Sequence, residues 1–356
     1  MERNEVIERL TLIGKEVINY IQKQEFPTIK LPLRSVSNVV YDKQAKIVRL
    51  GKKQVIRKAS NIRQAKIFSQ LLWIAFFAKE NLITKDRSCS LRDLFYNSFN
   101  DLKIKFDEQD ESDKLVVELE TILGCPRENF NIIPEEKSSI FGDLTVEYVN
   151  PPTHRGQRVN LTTDPDGKNI GLSLATAKFV ECNAKLVIAI EKGAIFRRFI
   201  EEQVYSKLNA ILIDTGGQAP RFTRLLIKRL NKELGLPVFV LTDADPWGMH
   251  IARVIISGSA IAAHIPELAT PEAKWLGIYA SDIKKYGLPS IPLNEIDIRR
   301  LETMKNDPRY DESFWKYQIS IFEKHKQKAE LEAFSKYGLN AIIDKYLLKK
   351  IKDLMQ

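Results

Sequence analysis

Cysteine is scarce in this sequence, which has only 3 in 356 residues, at Cys89, Cys125 and Cys182. They are scattered and show no CxxC spacing. This pattern argues against both a disulfide framework and a cysteine-based zinc site, and it favours a reducing compartment. The four histidines also lack metal-ligand spacing; they are His154, His250, His264 and His325.

Long hydrophobic runs are also absent. The longest apolar stretch, residues 71–78, is far shorter than the ~20 residues that a membrane-spanning helix needs. The first residues, MERNEV, are charged and lack the apolar segment of a secretory signal peptide. We therefore expect a soluble cytoplasmic protein with no membrane partner.

A phosphate-binding loop of the form GxxxxGK[ST] is missing from the sequence as well, so the chain has no recognisable ATP site of that type. The composition, 44% hydrophobic and 28% charged, is that of a soluble globular protein. Because the chain is long, a large core can form without disulfides or a structural metal.

Positive charge is in excess, with a net charge of +9 and a pI near 9.2. Nine of the basic residues crowd one early stretch: Lys43, Lys46, Arg49, Lys52, Lys53, Arg57, Lys58, Arg63 and Lys66. The stretch is either a solvated face or a surface for a polyanion such as nucleic acid. Charge alone leaves both interpretations open.

Pattern changes along the chain predict four parts. Residues 1–61 contain an amphipathic helix up to about residue 25 and a basic arm with a hairpin that turns at Gly51. Residues 62–150 combine helices with strand-like pieces near 130–133 and 144–148, which suggests a winged helix-turn-helix domain or another small α+β module. Residues 151–169 resemble a linker, and residues 170–356 alternate strands with helices before a helical tail. The fold class is therefore α/β, or α+β overall.

Carboxylates follow two buried strands of the α/β part. The strand LVIAI runs into Glu191, and VFVLT runs into Asp243 and Asp245. Ligands bind at the carboxyl ends of parallel strands, and Mg²⁺ prefers oxygen ligands. The pattern fits a magnesium site about as well as it fits a simple helix cap.

A pair of glycines, Gly216 and Gly217, follows the intervening strand AILID. Such a pair allows a phosphate or a neighbouring element to approach the backbone closely. A sharp turn required by the fold is the interpretation we favour.

Glutamate after one strand, Gly-Gly after the next and Asp-x-Asp after a third resemble the Toprim domain of topoisomerases and primases. The runs IAIEKGAIFRRF, GGQAPRFTRLLIKRL, GLPVFVLTDADPWGMHI and AKWLGIYASDI resemble the A subunit of DNA topoisomerase VI and its Spo11 relatives. The resemblance spans about residues 60–350. It implies a winged-helix domain followed by a Toprim domain with a mostly parallel sheet, and Mg²⁺ held by Glu191, Asp243 and Asp245.

The family's nucleophile is a tyrosine in a motif like R-x-x-Y-Y. The matching stretch here is SLRDLFY, with Ser90 as a plausible helix N-cap. The resemblance implies that Tyr96 is the nucleophile and that Arg92, one helical turn earlier, assists it. Phe95 replaces the first tyrosine of the motif, which removes a spare hydroxyl but leaves the nucleophile.

The resemblance also implies partners: double-stranded DNA, a second copy of the chain and a separate B subunit that is an ATPase, in an A₂B₂ assembly. ATP would be bound by the B subunit, since this chain has no recognisable site for it. Other functions remain open, namely a Spo11-like breakage protein or a non-catalytic DNA-binding protein with a relic Toprim domain.

Overall fold

A computed structural model describes residues 3–134 and 137–355, apart from the side chain of residue 36. The described chain forms two compact units. The first comprises residues 3–40, 49–134 and 260–265, and the second comprises residues 41–48, 137–259 and 266–355. Each unit has a hydrophobic core of its own.

Helices dominate the first unit, and one short antiparallel strand pair, β1 with β4, accompanies them. In chain order, the elements from the start of the chain to residue 123 are α1 (Arg3–Gln22), β1 (Thr28–Pro32), β2 (Val39–Asp42), β3 (Ile47–Leu50), β4 (Gln54–Lys58), α2 (Ile62–Phe77), α3 (Leu91–Asn97) and α4 (Gln109–Leu123). A π-helical turn, Ala78–Ile83, extends α2. The amphipathic helix expected up to about residue 25 is confirmed as α1.

The core of the first unit explains why these helices form. Val6, Leu10 and Ile13 recur at helical spacing on α1 and are buried against residues of α2 and α4. Helix α3 begins with a capping box, in which the Ser90 hydroxyl accepts from the Asp93 backbone N–H and the Asp93 carboxylate accepts from the Ser90 N–H. The predicted N-cap at Ser90 is therefore confirmed.

Strands and helices alternate through most of the second unit. Its elements are β5 (Ser139–Phe141), β6 (Leu144–Glu147), β7 (Arg158–Asn160), β8 (Lys168–Asn169), α5 (Leu172–Ala175), β9 (Lys178–Cys182), β10 (Leu186–Ile190), α6 (Gly193–Glu201), α7 (Val204–Lys207), β11 (Ala210–Asp214), α8 (Arg221–Leu234), β12 (Val238–Leu241), α9 (Pro246–Ser257), β13 (Lys274–Gly277), α10 (Ala280–Lys285), β14 (Ile291–Pro292), α11 (Glu295–Lys305), α12 (Ser313–His325), β15 (Gln327–Lys328) and α13 (Leu348–Met355).

A six-stranded sheet in the order β13-β12-β10-β11-β5-β8 organises this unit. Strands β13, β12, β10 and β11 run parallel, whereas β5 and β8 pair antiparallel at one side. The central strand β10 is buried at every position, which its continuous apolar sequence requires. The expected α/β class with a mostly parallel sheet is confirmed.

Three local expectations differ from the structure. Residues 144–147 form β6, which pairs with β7 and β9 in the second unit and not with the piece near residue 132, which bridges to Cys89. Residues 151–169, expected to be a linker, contain β7 and β8, because both strands have sheet partners there. The hairpin turn falls at residues 43–46, before Gly51. The winged-helix arrangement of the first unit stays a prediction.

The helical tail expected after residue 294 is present as α11, α12 and α13. Across residues 3–134 and 137–355, every helix is too short or too polar to span a membrane.

Candidate active site

The carboxyl end of strand β10 places Glu191 at the edge of the parallel sheet. Its backbone N–H donates to the Leu241 carbonyl oxygen of the neighbouring strand β12, at 3.0 Å. Its carboxylate Oε2 accepts from the Asp243 N–H at 2.9 Å. The two predicted site residues therefore come from adjacent strands and are joined by a direct hydrogen bond.

The turn from β12 into α9 carries Asp243 and Asp245. Asp245 is the N-cap of α9, since its Oδ1 accepts from the Gly248 N–H at 2.6 Å, and Pro246 occupies the first turn. A Cβ on Gly248 would lie 2.4 Å from the Asp243 carbonyl oxygen, so this position admits only glycine without a shift of the backbone. The capping interpretation of Asp245 is thus correct, and a cap remains able to serve as a ligand.

Burial and mutual repulsion raise the pKa values of these carboxyl groups. Burial, followed by the charge of Asp243, raises the pKa of Glu191 to about 8. Burial raises the pKa of Asp243 to about 6, although the Leu331 N–H and Lys192 oppose the shift. The pKa of Asp245 also rises, again chiefly through burial. The charged forms of the three carboxyl groups are therefore disfavoured, and a nearby cation would favour them.

Lys192 supplies a positive charge at this edge, and the sequence patterns did not reveal it. Its Nζ lies 3.1 Å from Asp243 Oδ2, 3.1 Å from Glu330 and 3.0 Å from Glu332. Burial alone would lower the pKa of Lys192, but the hydrogen bond to Glu332 and the charge of Asp243 raise it. Asp243 Oδ1 also accepts from the Leu331 N–H at 2.8 Å, so Leu331 and Lys192 each hold one carboxylate oxygen of this aspartate.

The donor set is chemically suited to Mg²⁺, which takes one or two carboxylates and completes its coordination with water. Within the part of the chain that the structure describes, no group of three or more histidine, cysteine, aspartate or glutamate side chains is arranged so that it could hold a metal ion. The positive charge that contacts Asp243 is the Lys192 ammonium. The chemistry of the donors therefore suits Mg²⁺, whereas the described geometry does not by itself form a metal site.

The glycine pair after β11 serves as a turn at the same edge of the sheet. Gly216 has φ +59°, and a Cβ there would lie 2.7 Å from the Lys137 carbonyl oxygen. The Gly217 N–H donates to the Glu191 carbonyl oxygen at 2.9 Å, which ties the turn to the end of β10. This agrees with the interpretation of the pair as a sharp turn.

Tyr96 lies on α3 in the first unit and is 55% exposed. Its ring meets Phe99 edge-on, with 5.8 Å between centroids, and lies 5.4 Å from the Phe95 ring. Arg92 is exposed one turn earlier on the same helix. The hydroxyl of Tyr96 is therefore presented outward on a fixed helix, supported by packing of its ring.

Two family models match this chain, one over the region of the acidic sheet edge and one over the region of Tyr96. Residues 186–351 match the Toprim domain of the topoisomerase 6 A subunit and Spo11, and residues 66–132 match the family described as type IIB DNA topoisomerase. The A subunit of type 2 DNA topoisomerase 6 from Methanothermobacter thermautotrophicus is 39% identical over 99% of each chain. The proteins of the same name from Archaeoglobus fulgidus and Halobacterium salinarum are 36% and 35% identical, over 96% and 99% of this chain and 96% and 97% of their own. The chain belongs to the family of topoisomerase 6 A subunits.

Within this topoisomerase family, the two matched regions contain the predicted site residues. The Toprim match covers Glu191, Asp243 and Asp245, and the type IIB topoisomerase match covers Arg92 and Tyr96. Lys192, Glu330 and Glu332 also fall within the Toprim match. Only the adjacency of Lys192 to Glu191 offered a sequence signal for this cluster, because its two glutamates lie more than a hundred residues later.

The basic stretch of this topoisomerase family member is partly neutralised by its own fold. Arg57 pairs with Glu118 through two hydrogen bonds, and Lys66 lies 3.1 Å from Asp107. Arg57 and Lys66 are therefore already paired with carboxylates and are less able to contact DNA phosphates than the other basic residues between positions 43 and 66.

Proposed function

We propose that this chain is the DNA-cleaving and rejoining subunit of a type IIB DNA topoisomerase, with Tyr96 as nucleophile. The observation that carries the proposal is the exposed Tyr96 on capped helix α3, with Arg92 one turn away, inside the region that matches type IIB topoisomerases. A hydroxyl that must reach a DNA phosphate has to be presented outward. A structural tyrosine of the core would have its ring buried.

The proposed reaction is a transesterification. The Tyr96 Oη forms a bond to a backbone phosphorus while the bond from that phosphorus to the 3′ oxygen breaks. The phenolic proton leaves Tyr96, and the departing 3′ oxygen takes up a proton to become a hydroxyl. The product is a 5′-phosphotyrosyl bond, and reversal reseals the strand without an external energy source.

Residues of this chain have separate tasks in the proposal. Arg92 holds the phosphate that Tyr96 attacks. Glu191, Asp243 and Asp245 would hold Mg²⁺, which when bound supplies positive charge near the phosphate and the departing oxygen. Lys192 and the Leu331 N–H fix the orientation of Asp243. The raised pKa values of Glu191 and Asp243 support this assignment, because cation binding would favour their charged forms.

The proposed substrate and assembly follow from the family. The substrate is double-stranded DNA, and two copies of the chain supply one tyrosine for each strand, each paired with the Toprim site of the other copy. Strand passage would be driven by a B subunit that binds ATP, in an A₂B₂ heterotetramer. We place the protein in the cytoplasm, associated with the nucleoid.

Helix α1 is a candidate docking element for the B subunit. Its buried face belongs to the core of its own unit, so deletion of residues 1–25 would test folding as much as docking. Its other face exposes Leu12 and Ile18, at 53% and 55%. We expect Leu12→Ser and Ile18→Ser to weaken binding of the B subunit in a pull-down while leaving the melting temperature unchanged; unaltered binding would reject the docking role.

A plasmid assay with Mg²⁺, with and without ATP and the B subunit, tests the function as a whole. We expect relaxation only when ATP and both subunits are present. Double-strand breaks that are never resealed under these conditions would favour the Spo11-like alternative. DNA binding without any cleavage would favour a relic Toprim protein.

A further inference from the structure

A tryptophan and an arginine stack on each other beside the acidic edge of the second unit. Trp247 follows Asp245 by two positions, at the start of α9, and is 37% exposed. The guanidinium carbon of Arg300, on α11, lies 3.9 Å from the centroid of the Trp247 ring. The proposed active site makes no use of either side chain.

Both members of the pair are held in place by surrounding contacts. The Asp245 cap and the tight approach of Gly248 to Asp243 fix the backbone that carries Trp247. Helix α11 has its own capping box between Asn294 and Asp297, and the buried Asp297 carboxylate accepts from Lys328 at 2.7 Å. Arg300 follows Asp297 by one helical turn. The stack is therefore preorganised on two capped helices.

Within the described part of the chain, Arg300 makes no ion pair, although the charge of Asp307 acts on it. Among residues 3–134 and 137–355, no acceptor reaches its buried Nε, and no carboxylate lies within ion-pairing distance of its guanidinium. Its neighbour Arg299 pairs with Glu295 at 3.3 Å, and Arg309 holds Asp307 through several hydrogen bonds. The nearby, half-buried His250 has its pKa lowered to about 4 by desolvation and by the charges of Arg300 and Arg309, so it is neutral and offers no negative charge.

We infer that Arg300, backed by the Trp247 ring, binds a backbone phosphate of the DNA next to the Toprim carboxylates. The inference rests on the proposed function, because it takes DNA as the ligand. Lys192, the positive charge already at this edge, is shared among Asp243, Glu330 and Glu332, so a polyanion that approaches the edge gains from a further cation beside it. A planar guanidinium presents N–H groups in the geometry of phosphate oxygens, and stacking on an indole ring orients it in advance.

The adjacent residue provides a matched control. Arg300→Gln and Arg299→Gln remove the same charge from neighbouring positions of one helix, but only the first removes an unpaired guanidinium. We would measure the affinity of the whole chain for a short DNA duplex in EDTA, over a range of salt concentrations. The absence of metal separates this contact from the carboxylate site, and the melting temperature of each variant confirms that it is folded.

We expect Arg300→Gln to weaken binding about 5-fold or more at low salt and to reduce the slope of log affinity against log salt by about 1. Arg299→Gln should change the slope by much less. Arg300→Lys should keep most of the slope while losing part of the affinity, because it retains the charge and loses the planar fork. DNA should also quench tryptophan emission in the wild type and quench it less in Trp247→Phe.

The phosphate contact would be overturned if the wild type binds DNA and both variants, Arg300→Gln and Arg299→Gln, match its affinity and its salt slope. That result would leave the proposed function standing. Failure of the wild type to bind duplex DNA at all would overturn both. Weaker DNA binding by Arg300→Gln with an unchanged salt slope would show that the pair acts through packing, and it would also contradict the inference.

Discussion

Helix α3 and the acidic edge of the parallel sheet present their reactive groups in opposite ways. Tyr96 is 55% exposed, and the contacts of its ring are with aromatic neighbours on its own helix and the turn that follows it. The carboxylates of Glu191, Asp243 and Asp245 each accept a backbone N–H, and Asp243 also pairs with Lys192. Helix α3 therefore leaves the Tyr96 side chain exposed, whereas the sheet edge holds its carboxylates through hydrogen bonds.

This difference matches what each region must do in the proposed reaction. A nucleophile that attacks a phosphate on a large duplex has to be accessible, so packing supports its ring and leaves the hydroxyl in the open. Carboxylates that receive a hydrated cation gain from being oriented before the ion arrives, because reorientation at that moment costs free energy. Changes at Tyr96 should therefore leave stability intact, whereas changes that remove a cap or an ion pair at the acidic edge should alter both chemistry and stability.

The largest expected effect is on covalent attachment to DNA. Tyr96→Phe should abolish it while changing the free energy of unfolding by no more than ~0.5 kcal/mol, because an exposed hydroxyl is removed and the ring stays. Tyr317→Phe is the matched control, because Tyr317 is 56% exposed and lies in the second unit. This variant should retain full activity. Gel detection of protein-linked DNA and thermal melts measure the two effects. A Tyr96→Phe protein that still forms the adduct would contradict the assignment.

A second large effect is expected from neutral, nearly isosteric changes at the sheet edge. Glu191→Gln and Asp243→Asn should each reduce Mg²⁺-dependent cleavage by about 100-fold or more, because a hard cation requires charged oxygen ligands. Asp214→Asn is the control: Asp214 also ends a strand of this sheet, but it accepts from the Gly216 N–H in the glycine turn. Cleavage assays over a Mg²⁺ titration would decide the matter, and equal losses in all three variants would indicate a structural role.

Asp245 allows capping to be separated from ligation. Asparagine is as good an N-cap as aspartate, so Asp245→Asn should keep the stability of α9 and still lower cleavage, though less than Asp243→Asn does. Asp245→Ala should in addition cost about 1 kcal/mol of stability through loss of the cap. Chemical denaturation and cleavage assays on both variants test this. If Asp245→Asn cleaves DNA as well as the wild type, Asp245 is a cap and nothing more.

The smallest effect concerns Lys192 as the internal counter-ion of Asp243. In EDTA, Lys192→Gln should lower the free energy of unfolding by about 1–2 kcal/mol, because it leaves three carboxylates without their shared cation; partial solvent exposure keeps the loss below that of a fully buried pair. Added Mg²⁺ should recover more stability in the variant than in the wild type. Lys305→Gln, which breaks an exposed pair with Glu323, should show neither effect. An equal response of both variants to Mg²⁺ would reject the counter-ion role.

Local patterns predicted the parts of the fold that local physics determines. The capping box of α3, the amphipathic helix α1 and the buried strands β10, β11 and β12 all follow from spacing within short windows. The prediction that β6 belongs with residues 62–150 is wrong, because its partners β7 and β9 come later in the chain and determine its pairing.

Part of the candidate site could not be predicted from sequence patterns, because its contacts join residues that lie far apart in the chain. Glu191 and Asp243 stood out because each follows an apolar strand. The pairing of Lys192 with Glu330 and Glu332, and the stacking of Arg300 on Trp247, join residues that only the tertiary fold brings together. Tyr96 is an intermediate case, because its exposure is a structural fact while its role was suggested by resemblance to a family motif.

Mass spectrometry can identify the residue of this chain that becomes covalently linked to DNA. The wild-type chain would be assembled with its B subunit, trapped on labelled DNA in the presence of Mg²⁺, and digested with nuclease and protease before mass spectrometry. We expect one phosphotyrosyl peptide, in which the modified residue is Tyr96. A phosphotyrosyl peptide that maps to another tyrosine, such as Tyr20, Tyr41 or Tyr148, would contradict it.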